Sequence, residues 1–266
     1  MRFFTLALVS VATIMGAISP ALADFAAGAR ALKAGDHGTA IKEWTPLAEN
    51  GNADAQFGLA VLYLTGKGVK KDAAKAVELC RKAADQGKRD AQMMMGMAYR
   101  QGLGVARDAG QAVSWYRKAA EAGGVAAQTN LAFMYAKGEG VGQNFDKARE
   151  WYERAAKQGD ATAAYSLGEV YREGLGVPKD PGEAAKWYQA AAEKGYAKAQ
   201  TALGSLYVLG SGLQQDFQTA YFWYELAVRR GNAVALRARD ELEPRLTAQQ
   251  LFEARRMARE WKIAKD

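Results

Sequence analysis

Residues 174 to 177, Gly174-Leu175-Gly176-Val177, carry the two close glycines with which a chain can cradle a phosphate through its backbone amides. Three other residue types could support chemistry. His37 is the only histidine and Cys80 the only cysteine. Acidic side chains number 29, enough in principle for paired-carboxylate acid and base work. None of them sits in a catalytic pattern: H-E-x-x-H, C-x-x-C, G-x-x-x-x-G-K-[ST] and G-x-S-x-G are all absent. A single histidine removes most zinc sites and leaves histidine-dependent triads only His37 to draw on. No catalytic residue, metal ligand or cofactor is implied.

The glycine pair loses its chemical reading once the chain is compared with itself. Counterparts stand at Gly66-Lys67-Gly68, Gly102-Leu103-Gly104, Gly138-Glu139-Gly140 and Gly210-Ser211-Gly212, each displaced by 36 residues. A dinucleotide fingerprint also needs a preceding strand, a third glycine and a helix opening at the loop. Those features are missing, so each pair reads as the turn between two helices, with its first glycine ending the first helix.

Other columns keep the same register. Leu59, Met95, Leu131, Leu167 and Leu203 precede the small residues Ala60, Gly96, Ala132, Gly168 and Gly204. Tyr63, Tyr99, Tyr135, Tyr171 and Tyr207 follow, placing three columns on one buried helical face. The small residue is expected to let a partner backbone approach closely. Asp72, Asp108, Asn144, Asp180 and Asp216 stand where a second helix needs an N-cap. Pro181 suits the first helical position, and Glu183 completes a spacing like a capping box. Ala76, Ala112, Ala148, Ala184 and Ala220 follow four residues after each cap, as the tight contact of the second helix. Trp115-Tyr116, Trp151-Tyr152, Trp187-Tyr188 and Trp223-Tyr224 continue it, with Leu79-Cys80 in the first unit. A lone helix pair cannot bury its apolar face, so stacking on neighbours must hold the chain together.

The combined spacing, A-Q-x-x-L-G-x-x-Y-x-x-G-x-G-V-x-x-D-x-x-x-A-x-x-W-Y, resembles the Sel1-like repeat over five units, roughly Ala53 to Asn232. The resemblance implies an all-α protein, a right-handed α/α superhelical solenoid of antiparallel helix pairs related to tetratricopeptide repeats and used mostly as an adaptor. Residues 24–52 read as a degenerate N-terminal unit of tetratricopeptide or Sel1 type, from the spacing of Gly28, Gly35 and Ala40. Residues 53–232 are the five repeats, and 233–266 are capping helices, with Pro244 stopping the first and Thr247 capping the last, from Ala248 to about Ile263. His37 takes the place of a turn aromatic and reads as packing. Cys80, aligned with Tyr116 and Tyr152, reads as a buried thiol, with a redox or intermolecular role as the alternative.

Residues 1–23 differ from the rest: Arg2 precedes a nearly apolar run from Phe3 to Ile18, Ser19-Pro20 should break any helix, and Ala21-Leu22-Ala23 forms an A-x-A site. This predicts a signal peptide cleaved between Ala23 and Asp24, hence a periplasmic or secreted protein with no transmembrane segment in the mature chain. The remaining 35 basic and 29 acidic residues leave a mild, spread-out positive charge with one local excess between Arg229 and Asp266. That basic end predicts weak contact with an anionic envelope surface, and an exported chain has no expected nucleic-acid partner.

By likeness to tetratricopeptide solenoids, the variable first-helix columns line the concave face. They contain Phe57 and Val61, then Met93, Met97 and Arg100, then Phe133, and finally Tyr165, Glu169 and Arg172. The groove so formed is apolar in the first three units and charged in the fourth. It predicts a protein or peptide partner, with Arg100 and Arg172 orienting an acidic group and this chain acting as a monomer. The plain alternative is that Met93, Met97 and Phe133 fill interhelical gaps. Relatives described as penicillin-binding or β-lactamase-like suggest a cell-wall hydrolase as the competing function, but no serine begins an S-x-x-K.

Overall fold

The computed structural model describes residues 20–262. Every regular element among the described residues is helical. The chain divides into two units, Met1–Lys82 and Ala83–Asp266.

The first unit contains α1 (Pro20–Lys33), α2 (His37–Glu49), α3 (Ala53–Thr65) and most of α4, whose full span is Ala73–Asp85. Within the described residues α1 runs from Pro20, whose fixed φ suits a first turn; whether Ser19-Pro20 ends a preceding helix lies outside the described residues. The expected cleavage position therefore falls inside α1, while the apolar run of the leader lies outside the described residues. Trp44 organises this unit: it is 2% exposed, its ring stacks on Phe25 at 5.6 Å, and its Nε1 donates to the Phe25 carbonyl at 3.2 Å. Gly28 of α1 and Gly58 of α3 are the seats of that ring, since a Cβ on either would stand 2.3 or 2.7 Å from it. His37 packs under the α3–α4 connector, where a Cβ on Gly68 would meet its own Cβ at 2.6 Å. Cys80 is buried, at 1% exposure.

The second unit continues with α5 (Arg89–Gln101), α6 (Ala109–Glu121), α7 (Val125–Lys137), α8 (Phe145–Lys157), α9 (Ala161–Glu173) and α10 (Pro181–Glu193). It closes with α11 (Ala197–Leu209), α12 (Phe217–Val228), α13 (Ala233–Leu242), a 3-10 turn at Glu243–Arg245 and α14 (Ala248–Glu260). Thr247 and Gln250 cap α14 reciprocally, as the sequence suggested. At Asp180 only half of such a box forms: its side chain accepts from the Glu183 amide, while the Glu183 carboxylate pairs with Lys186 at 2.5 Å.

Each connector is fastened at both ends by backbone. The cap residue donates its amide to the carbonyl of the preceding tyrosine, as Asp108 does to Tyr99, Asn144 to Tyr135 and Asp180 to Tyr171, each at 2.9 Å. The first glycine ends its helix in the left-handed region, with φ of 74° at Gly102 and Gly174. The second glycine makes room for a neighbour, since a Cβ on Gly140 would lie 2.3 Å from the Ala109 carbonyl, and one on Gly212 equally near that of Pro181. It lets the connector of one repeat rest on the first residue of the preceding second helix. The N-caps predicted at Asp108, Asn144, Asp180 and Asp216 all accept backbone amides. Ala112, Ala148, Ala184 and Ala220 are fully buried.

The glutamine of the A-Q pair in the repeat motif also joins repeats. The buried amides of Gln92, Gln128 and Gln200 donate to the carbonyls of Ala84, Ala120 and Ala192 at 3.3, 3.2 and 3.1 Å. Each bond ties the start of a first helix to the end of the second helix before it.

Candidate functional site

The polar side chains on the first-helix face of the second unit are organised by tyrosines from behind. A Cβ on Gly96 would lie 2.5 Å from the Tyr116 ring, on Gly168 2.4 Å from Tyr188, and on Gly204 2.7 Å from Tyr224. The small column thus seats a ring of the same repeat's second helix rather than a neighbouring backbone. Two of these hydroxyls emerge among the first-helix side chains and must find partners there. Tyr188 donates to Glu169 and accepts from Arg172 Nε at 3.1 Å, and Tyr224 shares a hydrogen bond with Ser205 at 3.1 Å.

These contacts settle the protonation states. Burial, reinforced by the Glu169 carboxylate, pushes the Tyr188 phenol up, and Tyr165 rises to about 12 for the same two reasons. Burial opposes ionisation of Glu169, but hydrogen bonds from Arg172 and Tyr188 outweigh it and hold its carboxyl below the ordinary value. At neutral pH the cluster is two neutral phenols around an ionised Glu169–Arg172 pair. Burial lifts the Cys80 thiol to about 12, far from a nucleophilic thiolate. No group of three or more metal-binding side chains occurs among the described residues, and no helix there is long and apolar enough to cross a membrane.

The structure places the sequence-selected residues as follows. Phe57 is half-buried on α3, and Val61 is more exposed a turn later. Met93 and Met97 on α5 and Phe133 on α7 are half-buried, with Met93, Phe133 and Tyr165 also touching the core. Tyr165 lies against Tyr188 and Tyr196 at ring separations of 5.6 and 5.3 Å. Arg100 and Arg172 are both paired within the chain. Expected to meet an acidic group from outside, each already holds a carboxylate of this chain. Arg100 pairs with Glu139 at 3.1 Å while standing 4.7 Å above the Phe133 ring. Arg172 pairs with Glu169 at 2.7 Å and Glu173 at 2.6 Å. The cause is local geometry: the Gly138–Gly140 turn brings Glu139 within reach of Arg100, and three-residue spacing puts Glu169 beside Arg172. Much of the basic end is likewise paired, as in Arg239 with Glu225 and Arg255 with Glu243.

A cavity of about 550 Å³ opens between α9, α11 and α13. Tyr165, Glu169 and Arg172 form its α9 wall. Its floor is α11, where the face columns shrink to Thr201 and Ser205, in place of larger groups such as Met93, Phe133 and Tyr165 in earlier repeats. Lys198, Leu209, Asn232 and Val234 also line it. None of these four was selected from the sequence. The signal was present: the Leu209 column otherwise reads Thr65, Gln101, Lys137 and Glu173, and the Val234 column reads Asp54, Asp90, Ala126, Thr162 and Lys198.

Paired helices with a recurring Gly-seated tyrosine, capped connectors and a side-chain-bearing first-helix face define an α-helical repeat scaffold. The Sel1 repeat family profile matches residues 53–88, 89–124, 125–160, 161–196 and 197–232, and the chain belongs to that family, whose repeats typically build scaffolds for protein–protein interaction. A Sel1 repeat protein from Oxalobacter formigenes is 36% identical, covering 79% of this chain and 87% of that one, with a TM-score of 0.76. An immunity protein from Pseudomonas aeruginosa is 26% identical over 79% of this chain and 81% of its own, with a TM-score of 0.48. A protective antigen of uropathogenic Escherichia coli strains, displaying the SLR fold, is 23% identical over 91% and 84%, with a TM-score of 0.41. A search of curated proteins finds no match. The fold class read from the sequence, an all-α solenoid of helix pairs, is the one found.

Proposed function

We propose that this chain is an exported, non-enzymatic scaffold that captures a protein or peptide partner on its first-helix face. The observation that carries the reading is a division of labour in the second unit. Second helices commit their alanines and aromatics to the core, whereas Met93, Met97, Phe133 and Tyr165 keep part of their surface on the opposite elements. Soft thioethers and aromatic rings at helical spacing suit a helix or extended peptide. The paired arginines contribute shape and orientation there rather than uncompensated charge. Export rests on the basic residue, apolar run and A-x-A site of the N-terminus.

The test is partner capture from envelope extract by the wild type and by a Met97→Glu/Phe133→Glu variant. Loss of the captured protein with unchanged helical circular dichroism supports the reading. Equal capture overturns the face assignment, and turnover of a β-lactam reporter by the purified chain would overturn the non-enzymatic assignment in favour of a hydrolase.

A further inference from the structure

The cavity between α9, α11 and α13 brings strongly exposed apolar side chains together with hydrogen-bond donors that have no acceptor within the described residues of the chain. Leu209 is 71% exposed and Val234 67%, the two most exposed large apolar side chains among the described residues. Both stand in columns that are polar or small in the other repeats. Because the two line one cavity, they form a contiguous apolar patch rimmed by polar groups, the kind of surface that another molecule covers. Around them the polar lining is unevenly satisfied. Thr201 donates to the Ala197 carbonyl, Ser205 to that of Thr201, and Glu169 and Arg172 neutralise one another. Lys198 makes no ion pair among the described residues, and Asn232 uses its Oδ1 to cap α13, which leaves its Nδ2 without an acceptor there. An apolar hollow of about 550 Å³ with two donors that have no partner within the described residues of the chain, one of them cationic, is complementary to an apolar side chain followed by an anion.

Building on the scaffold reading above, we infer that this cavity is the specificity pocket for the partner, and that it takes a leucine-sized side chain whose neighbouring residue in the partner is Asp or Glu. The apolar side chain packs on Leu209, Val234 and Tyr165, and the carboxylate accepts from Lys198 Nζ and Asn232 Nδ2. The small floor at Thr201 and Ser205 makes the room.

The probe is a fluorescein-labelled peptide with a central Leu-Asp pair in Gly-Ser flanks, read by anisotropy against the purified full chain. Replacing its leucine by alanine is expected to weaken binding about tenfold. Replacing its aspartate by asparagine is expected to weaken it about threefold, the worth of a partly exposed ion pair. Lys198→Glu should abolish the preference for aspartate without affecting the leucine preference, whereas Val234→Ser should do the reverse. Equal binding of all three peptides, or an aspartate preference that survives Lys198→Glu, overturns the inference. So does a dimer in sedimentation that Val234→Ser dissolves, because a second copy would then be the occupant. The two readings separate cleanly: a captured partner lost with Phe133→Glu but retained with Lys198→Glu and Val234→Ser keeps the scaffold and removes this pocket.

Discussion

Gly168 and Tyr188 occupy complementary space: a Cβ added to Gly168 would stand 2.4 Å from Cδ1 and Cε1 of the Tyr188 ring. The ring is fully buried and its hydroxyl reaches Glu169 and Arg172, so the absence of one methyl group places an entire polar cluster.

Gly168→Ala is therefore expected to lower the urea midpoint. Alanine gains about 1 kcal/mol of helix propensity, but overpacking against a fully buried ring costs about 1–3 kcal/mol and displaces the hydroxyl. Gly38→Ala is the contrast. Its nearest neighbour is the Asp36 carboxylate at 3.6 Å and its backbone is helical, so the midpoint should hold or rise slightly. A higher midpoint for Gly168→Ala would contradict the packing described.

Gly140 and Gly159 separate close contact from backbone strain. Both have positive φ, 70° and 89°, yet a Cβ on Gly159 meets nothing within 4 Å while one on Gly140 meets the Ala109 backbone at 2.3 Å. Alanine at Gly159 should cost about 1 kcal/mol, the left-handed penalty alone. At Gly140 the loss should be several-fold larger, with faster hydrogen exchange at the start of α6, because a backbone carbonyl cannot rotate out of the way.

Cys80 should resist thiol reagents at pH 8 while folded and react fully in denaturant. Its thiol rises from 9.0 to about 12 through burial, so the neutral form is favoured in the native state. The stability this contributes is complete below pH 9 and is lost as pH climbs toward 12. Rapid native labelling would show that the side chain is reached by water.

The Tyr165–Glu169–Tyr188 cluster should respond at both ends of the pH range. Glu169 is held below 4.5, so its contribution is present above that value and disappears as acid protonates it; Glu169→Gln should flatten that acid limb. Tyr165, raised from 10.0 to about 12, contributes fully below pH 10 and loses its effect on the way to 12. Tyr165→Phe should therefore flatten the alkaline limb, followed by circular dichroism across pH. Unchanged limbs in both variants would mean that the cluster does not couple to folding.

Helix pairs, caps and connectors were legible in the sequence because each depends on neighbours only a few residues away, and repetition in register made a weak local signal unambiguous. Asp108, Asn144 and Asp216 cap where their spacing places them, and Ala112 through Ala220 vanish into the core. The candidate face was less legible. Glu169, Arg172 and Ser205 look unconstrained because their columns vary, whereas tyrosine hydroxyls from the second helices constrain them. Leu209 and Val234 stand in columns that are not apolar elsewhere, so only their departure from those columns marks them.

By itself, then, the amino-acid order determined an all-helical repeat of the Sel1 kind, since a period of 36 residues, terminating glycines and capping carboxylates act through the local backbone. Only the tertiary structure decided which charges are already spent on partners within the chain. It also decided where a hollow opens, because Arg100 finds Glu139 39 positions away, and α9, α11 and α13 meet around Thr201 and Ser205 only after their helices are stacked. Distances of that kind are set by packing between elements, and no local rule encodes them.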